Sequence, residues 1–330
     1  MLVFANITIQ FMKVAIIDLG TNTFKLSIHE TVSPYPPVWQ ERMHVQLHEG
    51  GATAAYIIPT AWDRALTAMK KFREIINKHQ VQQIYAVGTS ALRNASNSAE
   101  LLVAISQQTQ IQVEIISGEQ EASLIYRGVK EAVKIAQQEV VLVMDIGGGS
   151  TEFIIGDQHQ ALWAKSFDVG MQYLLDHFTE NACLHPPQLE SMVAYFTEQL
   201  APLLAAVKLH NPIRLVGSSG AFRTVGAMLQ AQQKISVPTK TLCYDIPVDL
   251  FESLYKTIRY TTREERLQMK GLENQPIDMI ALSTSLIYFV LQKTGLHTIT
   301  ASAYGLKEGL FFTALGRCCA NIIIIASPSF

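Results

Sequence analysis

Two stretches of this 330-residue chain follow the same grammar, and that repetition limits the fold more than any other feature. Residues 14–18 (VAIID) are an unbroken apolar run that ends in an acid, which predicts a buried strand. Leu19-Gly20-Thr21-Asn22-Thr23 is turn chemistry, and residues 24–29 resume as a second strand. The pattern returns 127 residues later as 141–145 (VLVMD), Ile146-Gly147-Gly148-Gly149-Ser150 and a returning strand over 151–155. Val14 overlays Val141, Asp18 overlays Asp145, Gly20 overlays Gly147 and Ile28 overlays Ile155. Few residues are identical, but the order of apolar run, Asp, Gly and polar turn is kept. This is an internal repeat of whole domains, each opening with a phosphate-sized Gly/Ser/Thr turn.

Between and after the repeats, strands alternate with helices. Helical periodicity is expected over 59–78, 90–109, 118–137, 187–209, 220–231 and most of 248–291, with a closing helix at 305–315. Short strands are expected at 84–87, 113–116, 213–216 and 298–302. Alternation of this kind argues for an α/β fold. The length suffices for two domains with their own cores. A hinge near 130–138 sets the expected boundary, giving domains 1–132 and 133–330, with the 305–315 helix packing back on the first.

Bulk charge narrows the partners. The net charge is -2, so no global basic field invites a polyanion and DNA binding by a basic face is excluded; any anion site must be local. Cys183, Cys243, Cys318 and Cys319 lack CxxC or zinc-site spacing, which suits free thiols in a reducing cytoplasm. His44 and His48, four apart in an expected strand, make a poor metal pair. The apolar start at residues 1–11 lacks a basic leader region and is read as an extension or an extra strand. The apolar run at 321–327 is too short to span a bilayer; it is a possible homodimer surface. The chain is thus expected to be soluble, with no membrane partner. Walker A, HExxH and GxSxG patterns are absent from the sequence.

Four constellations can carry chemistry. An Asp at a strand end followed by a Gly-rich turn exposes several backbone N–H groups at one point, where phosphate oxygens bind and the Asp can hold a divalent metal. One such turn reads equally as a tight hairpin; two in equivalent places favour a site built from Asp18, Gly20, Thr21, Asn22, Thr23 and from Asp145, Gly147, Gly148, Gly149, Ser150. Thr89-Ser90-Ala91-Leu92-Arg93 runs from strand into helix, with Arg93 in the first turn. A cation is disfavoured there unless an anion lies between it and the helix end; the alternative is an Arg reaching into solvent. Ser117-Gly118-Glu119-Gln120 is a capping box, and Glu119 and Glu121 lie about 200° apart around the helix, so one can face solvent and the other a cleft. Gly217-Ser218-Ser219-Gly220, with Arg223 one turn on, is a second helix-start anion site or a close-packed cap.

The segments AIIDLGTNTFKL, VGTSALRNASN, ISGEQEASLIYRGV, VMDIGGGSTEFIIG and YGLKEGL resemble the exopolyphosphatase / guanosine pentaphosphate phosphohydrolase family, part of the actin/sugar-kinase/Hsp70 superfamily, from about Lys13 to Leu315. The resemblance implies two ribonuclease H-like α/β domains around a cleft. It implies Glu121 as general base, Asp145 and Glu152 as holders of Mg2+ that position the water, phosphate-gripping turns at 20–23 and 147–150, and Arg93 on the polyanion. The implied reaction is release of terminal orthophosphate from inorganic polyphosphate, or from guanosine pentaphosphate (pppGpp). A kinase or ATPase of the same superfamily and a non-catalytic sensor of a phosphorylated ligand are the rival readings. Three segments depart from the family pattern by lacking its usual Arg: Gly170-Met171-Gln172-Tyr173, the stretch from Lys270 to Asp278, and Ala303-Tyr304-Gly305-Leu306-Lys307. Fewer cations, and no further helical domains after the core, imply a preference for short polyphosphates or nucleotides.

Overall fold

A computed structural model describes residues 12–31, 36–49, 56–179, 184–272 and 277–320, with side chains to residue 316. The segments at 1–11 and 321–327, the latter the expected homodimer surface, lie outside the described residues. The first half comprises β1 (Lys13–Leu19), β2 (Thr23–Glu30), β3 (Trp39–His44), α1 (Pro59–Lys78), β4 (Gln83–Gly88), α2 (Ser90–Asn94), α3 (Ser98–Thr109), β5 (Val113–Ile115) and α4 (Gly118–Ala132). The second comprises β6 (Val141–Ile146), β7 (Thr151–Gly156), β8 (Ala161–Phe167), α5 (Met171–Phe178), α6 (Pro186–Gln199), α7 (Ala201–His210), β9 (Arg214–Gly217), α8 (Gly220–Ala231), β10 (Cys243–Pro247), α9 (Val248–Ile258), α10 (Arg263–Leu267), α11 (Ile280–Thr294), β11 (Thr298–Ser302) and α12 (Leu306–Ala320).

The two sheets have one topology. The first runs β3-β2-β1-β4-β5, and the second runs β8-β7-β6-β9-β11 with β10 added at the far edge. In each, three antiparallel strands are followed by two parallel ones. Both opening strands are buried on both faces, which explains their continuous apolar sequence. Alternate residues serve different cores. Ala15, Ile17 and Leu19 pack with Ala65, Met69 and Phe72 of α1, whereas Val14 and Ile16 pack on Phe311 of α12. Leu142 and Met144 belong to the large core of the second half, while Val141 and Val143 pack with Ile125 and Val129 of α4.

Each half therefore lends a helix to the other. The helix after β5 covers the second sheet, and the helix after β11 covers the first. They meet where glycine permits it: a Cβ on Gly309 would overlap the Leu124 carbonyl, and one on Gly128 would overlap the Gly305 carbonyl.

Several expected helices are interrupted for identifiable reasons. The 90–109 segment is two helices because the buried Asn97 side chain bridges the Ile57 backbone, accepting from its N–H at 2.8 Å and donating to its carbonyl at 3.0 Å. The 187–209 segment breaks at Leu200, where Pro202 in the first turn of α7 starts a new helix. The long helix from residue 118 stops at Ala132 because Val133 and Ile135, two apart, both turn into the core in extended backbone. Strands β8 and β10 are additions to the expected set.

Replacing Gly309 by Ala in the first turn of α12 should destabilise the protein by about 1–3 kcal/mol through overpacking. Helical Gly→Ala is ordinarily worth about 0.5–1 kcal/mol in the other direction. A fall in the denaturation midpoint at unchanged slope checks this; a rise would mean the two helices part freely.

Candidate active site

The two Gly-rich turns face each other at the seam between the sheets. A Cβ on Gly149 would lie 2.6 Å from Ser90 Oγ and 2.7 Å from Thr21 Oγ1, and one on Gly148 would lie 3.1 Å from Asn22 Nδ2. Only glycine lets the second turn approach the first turn and the start of α2 this closely. The carbonyls of the turns are occupied. Asn22 O accepts from Val45 N at 2.9 Å, Thr21 O from Leu47 N at 2.8 Å, Gly147 O from Met171 N at 3.1 Å and Gly148 O from Gln172 N at 2.8 Å. The N–H groups of Thr21, Asn22, Gly148 and Gly149 find no acceptor among the described residues. Carbonyls tied back and amides left free are what an anion site requires.

Register places the carboxylates. Asp18 lies opposite Lys25, which lies opposite Arg42, so the three share one face of the first sheet. Asp145 lies opposite Glu152, which lies opposite Ser166, on the equivalent row of the second. Lys25 Nζ is 3.1 Å from Asp18 Oδ2. Ser218 Oγ donates to Asp145 Oδ2 at 2.6 Å, and the hydroxyls of Ser150 and Ser166 both donate to Glu152 Oε1 at 2.7 Å. Glu121 projects from the first turn of α4, fixed by the Ser117–Gln120 capping box, and is buried while Glu119 is exposed.

Burial pushes the Glu121 carboxyl up to about 7, against the opposing pull of Arg93 and with help from the charges of Asp18 and Asp145. Burial also raises Asp145, partly offset by the Ser218 hydrogen bond. Glu152 is raised by burial and by the charge of Glu121. Four carboxylates thus share one electrostatic neighbourhood, with Lys25 and Arg93 as their direct ionic partners. Such an excess of buried negative charge suits a divalent cation, for which Asp145, Glu152 and Asp18 are the candidate acids. No ready-made cage of three or more acid, His or Cys ligands occurs among the described residues.

Several expected roles change. Arg93 lies in the last turn of a five-residue helix and donates to Glu121 Oε2 at 2.6 Å and to the Ile116 carbonyl at 3.0 Å. The argument from an unfavourable charge at a helix start therefore lapses, because a carboxylate from another helix already compensates it. Gly217 packs under the Phe222 ring, where a side chain would overlap it, and so has a packing role. Ser218 and Ser150 spend their hydroxyls on acids, while Ser219 keeps a buried Oγ without a partner. Thr23 Oγ1 lies 3.5 Å from His44 Nδ1. At the Arg-less segment after the second turn, Gln172 bonds Asp176 and Tyr173 stacks on His177 and Tyr195. Lys307 is half-buried, with its Nζ 3.8 Å from Glu308 Oε1. Lys25 and Ser166 were not expected at all. The repeat overlay itself could have found Lys25, since it falls on Glu152; Ser166 sits on the unanticipated strand β8.

The Ppx/GppA phosphatase family model matches residues 27–318. The chain belongs to this family. An exopolyphosphatase from Cytophaga hutchinsonii is 39% identical, with a TM-score of 0.87 over 93% of this chain and 98% of that one. A Ppx/GppA family member from Aquifex aeolicus, 20% identical, gives 0.76 over 95% of this chain and 100% of that one, a likeness of fold. Among curated relatives, a guanosine-5'-triphosphate,3'-diphosphate pyrophosphatase from Aeromonas hydrophila is 27% identical over 305 residues, 92% of this chain; the chain spans 59% of its length. The two-domain actin-like fold that the family resemblance implies is the fold of the Ppx/GppA structures.

Arg93 favours the ionised form of Glu121, so its removal raises the Glu121 pKa further. If Glu121 acts as a base it must be unprotonated, and the acid limb of the pH–rate profile should then move to higher pH in Arg93→Gln. A limb that stays in place in kcat/KM would show that another group titrates there.

Proposed function

We propose that this chain is a phosphohydrolase that releases terminal orthophosphate from inorganic polyphosphate, with Glu121 as general base. The observation that carries this reading is the placement of Glu121: a buried carboxyl brought to about 7, at a seam lined by two free-amide turns. A base of that pKa is half-ionised at neutral pH and is still strong enough to accept a proton from attacking water. In this reading the amides of 21–22 and 148–149 take the oxygens of the terminal phosphoryl group. Arg93 holds Glu121 in place and orients it. The Ser150 and Ser166 hydroxyls fix Glu152, and Ser218 fixes Asp145, so these acids present their remaining oxygens in defined directions. A Mg2+ ion held by Asp145, Glu152 and Asp18 would neutralise charge on the transferring phosphate. Binding and positioning are most of what phosphoryl transfer asks of a protein.

A second reading, hydrolysis of pppGpp, is favoured by the name of the Aeromonas relative. The 39% identity and near-complete coverage of the Cytophaga exopolyphosphatase put polyphosphate first. The expected functional units remain residues 1–132 and 133–330. The cytoplasm is the proposed location; no helix among the described residues is long and apolar enough to cross a membrane.

Phosphate release from medium-chain polyphosphate and from pppGpp, measured in parallel with Mg2+, tests the reading. Glu121→Gln should lower turnover by about 10²–10⁴-fold; wild-type rates in that variant would remove Glu121 from the chemistry. Chelation should stop release, and Asp145→Asn should need more Mg2+ for half-maximal rate; equal requirements would move the metal elsewhere.

A further inference from the structure

Two side chains of the short helix α2 work at the seam. Arg93 donates to Glu121 at 2.6 Å. Ser90 stands three residues earlier, which puts it on the same side of the helix, and it meets the second Gly-rich turn. A Cβ on Gly149 would lie 2.6 Å from Ser90 Oγ and 3.0 Å from Ser90 Cβ, and the same point is 2.7 Å from Thr21 Oγ1. Two hydroxyls of the first half are therefore pressed against one residue of the second.

Those hydroxyls are unspent. Thr21 and Ser90 are 7% and 5% exposed, and neither side chain has a hydrogen bond to any described residue. Their neighbours differ: Ser150 and Ser166 donate to Glu152, and Ser218 donates to Asp145. Ser90 is not the cap of α2 either, since the N-cap is Thr89. Close packing on Gly149 explains why residue 90 is small. It does not explain a hydroxyl there, because alanine would fill the same space without burying an unpaired polar group, which costs free energy. The N–H of Gly149 also lacks an acceptor among the described residues. Two hydroxyls and an amide, contributed by both halves and all without partners, suit an oxyanion.

We propose that Ser90 is a substrate-binding residue: its hydroxyl, with the Thr21 hydroxyl and the Gly149 amide, donates to one oxygen of the terminal phosphoryl group. The fixed spacing from Ser90 to Arg93 along α2 then sets where that group lies relative to Glu121. Because the donors come from both halves, the bound group also ties the halves together. This deepens the hydrolase reading and rests on it for its catalytic consequence, but the binding it requires does not depend on turnover. A terminal phosphoryl group can come from polyphosphate or from pppGpp, and the ligands below separate the two sources.

The test compares wild type with Ser90→Ala and Thr21→Val. Binding of tripolyphosphate and of pppGpp is measured by calorimetry with Mg2+ in the Glu121→Gln background, and phosphate release from both is measured with Glu121 in place. Ser90→Ala should weaken binding at least about tenfold and raise KM in step, as expected for loss of a hydrogen bond to a charged group. Thr21→Val should weaken the same binding. The melting temperature of Ser90→Ala without ligand should stay that of wild type, since the hydroxyl has no protein partner to lose, while the rise produced by tripolyphosphate and Mg2+ should shrink. A loss confined to tripolyphosphate upholds the contact and makes polyphosphate its source. A loss confined to pppGpp assigns Ser90 to other groups of the nucleotide and overturns the inference. Unchanged affinity in Ser90→Ala overturns it too and leaves residue 90 a packing residue, as does a fall in ligand-free stability that accounts for the whole loss. If wild type releases no phosphate from either substrate, the hydrolase reading fails alone, and the contact stands or falls on the binding measurement.

Discussion

Where α4 crosses α12 the two backbones touch, and the geometry of the seam follows from that contact. Gly128 on one helix and Gly309 on the other lack the Cβ that would overlap the opposing backbone. Because α4 carries Glu121, and because a Cβ on Gly305 would stand 3.3 Å from Asp145 Oδ2, the depth of this crossing sets how near Glu121 stands to the carboxylates of the second sheet. Each helix is anchored on the sheet of the opposite half by apolar burial, Ile125 and Val129 on one side and Phe311 on the other. Complete burial of a side chain such as Phe311 is worth about 1.5–3 kcal/mol. The exchange of helices therefore ties the halves together and positions the acids at once.

Around that crossing the protein concentrates negative charge and compensates it unevenly. Glu152 receives two hydroxyl donors on one oxygen, Asp145 one, Asp18 an ammonium and Glu121 a guanidinium. Neutral hydroxyls orient a carboxylate without cancelling its charge, whereas Lys25 and Arg93 both orient and compensate. The two acids of the second sheet are thus held by hydroxyls without a direct cationic partner, and it is beside them that the proposed divalent cation would sit.

The sequence carried the architecture well because each opening strand is buried on both faces and must be continuously apolar, and because the repeat preserves its Asp and its glycines. It carried the edges of the sheets poorly. Strand β8 (ALWAKSF) is half exposed and offers no unbroken apolar run, so Ser166 and its bond to Glu152 stayed hidden. The capping box at Ser117 was legible because it is local; the Arg93–Glu121 pair was not, since its members are 28 residues apart and only the fold brings them together. Gly217 looked like part of a phosphate loop, but a short polar string reads the same whether its glycine serves an anion or the Phe222 ring.

Duplication usually leaves like facing like, yet at the position where Lys25 overlays Glu152 the two copies carry opposite signs. Along one row the first sheet presents Asp18, Lys25 and Arg42; along its counterpart the second presents Asp145, Glu152 and Ser166. The pseudo-symmetric pocket is therefore electrically polar, a slope and not a basin. In the proposed hydrolase reading, a condensed-phosphate chain would meet the cationic end of this row first and the carboxylates last, so that a free end, and not an interior bond, would come to rest beside Glu121.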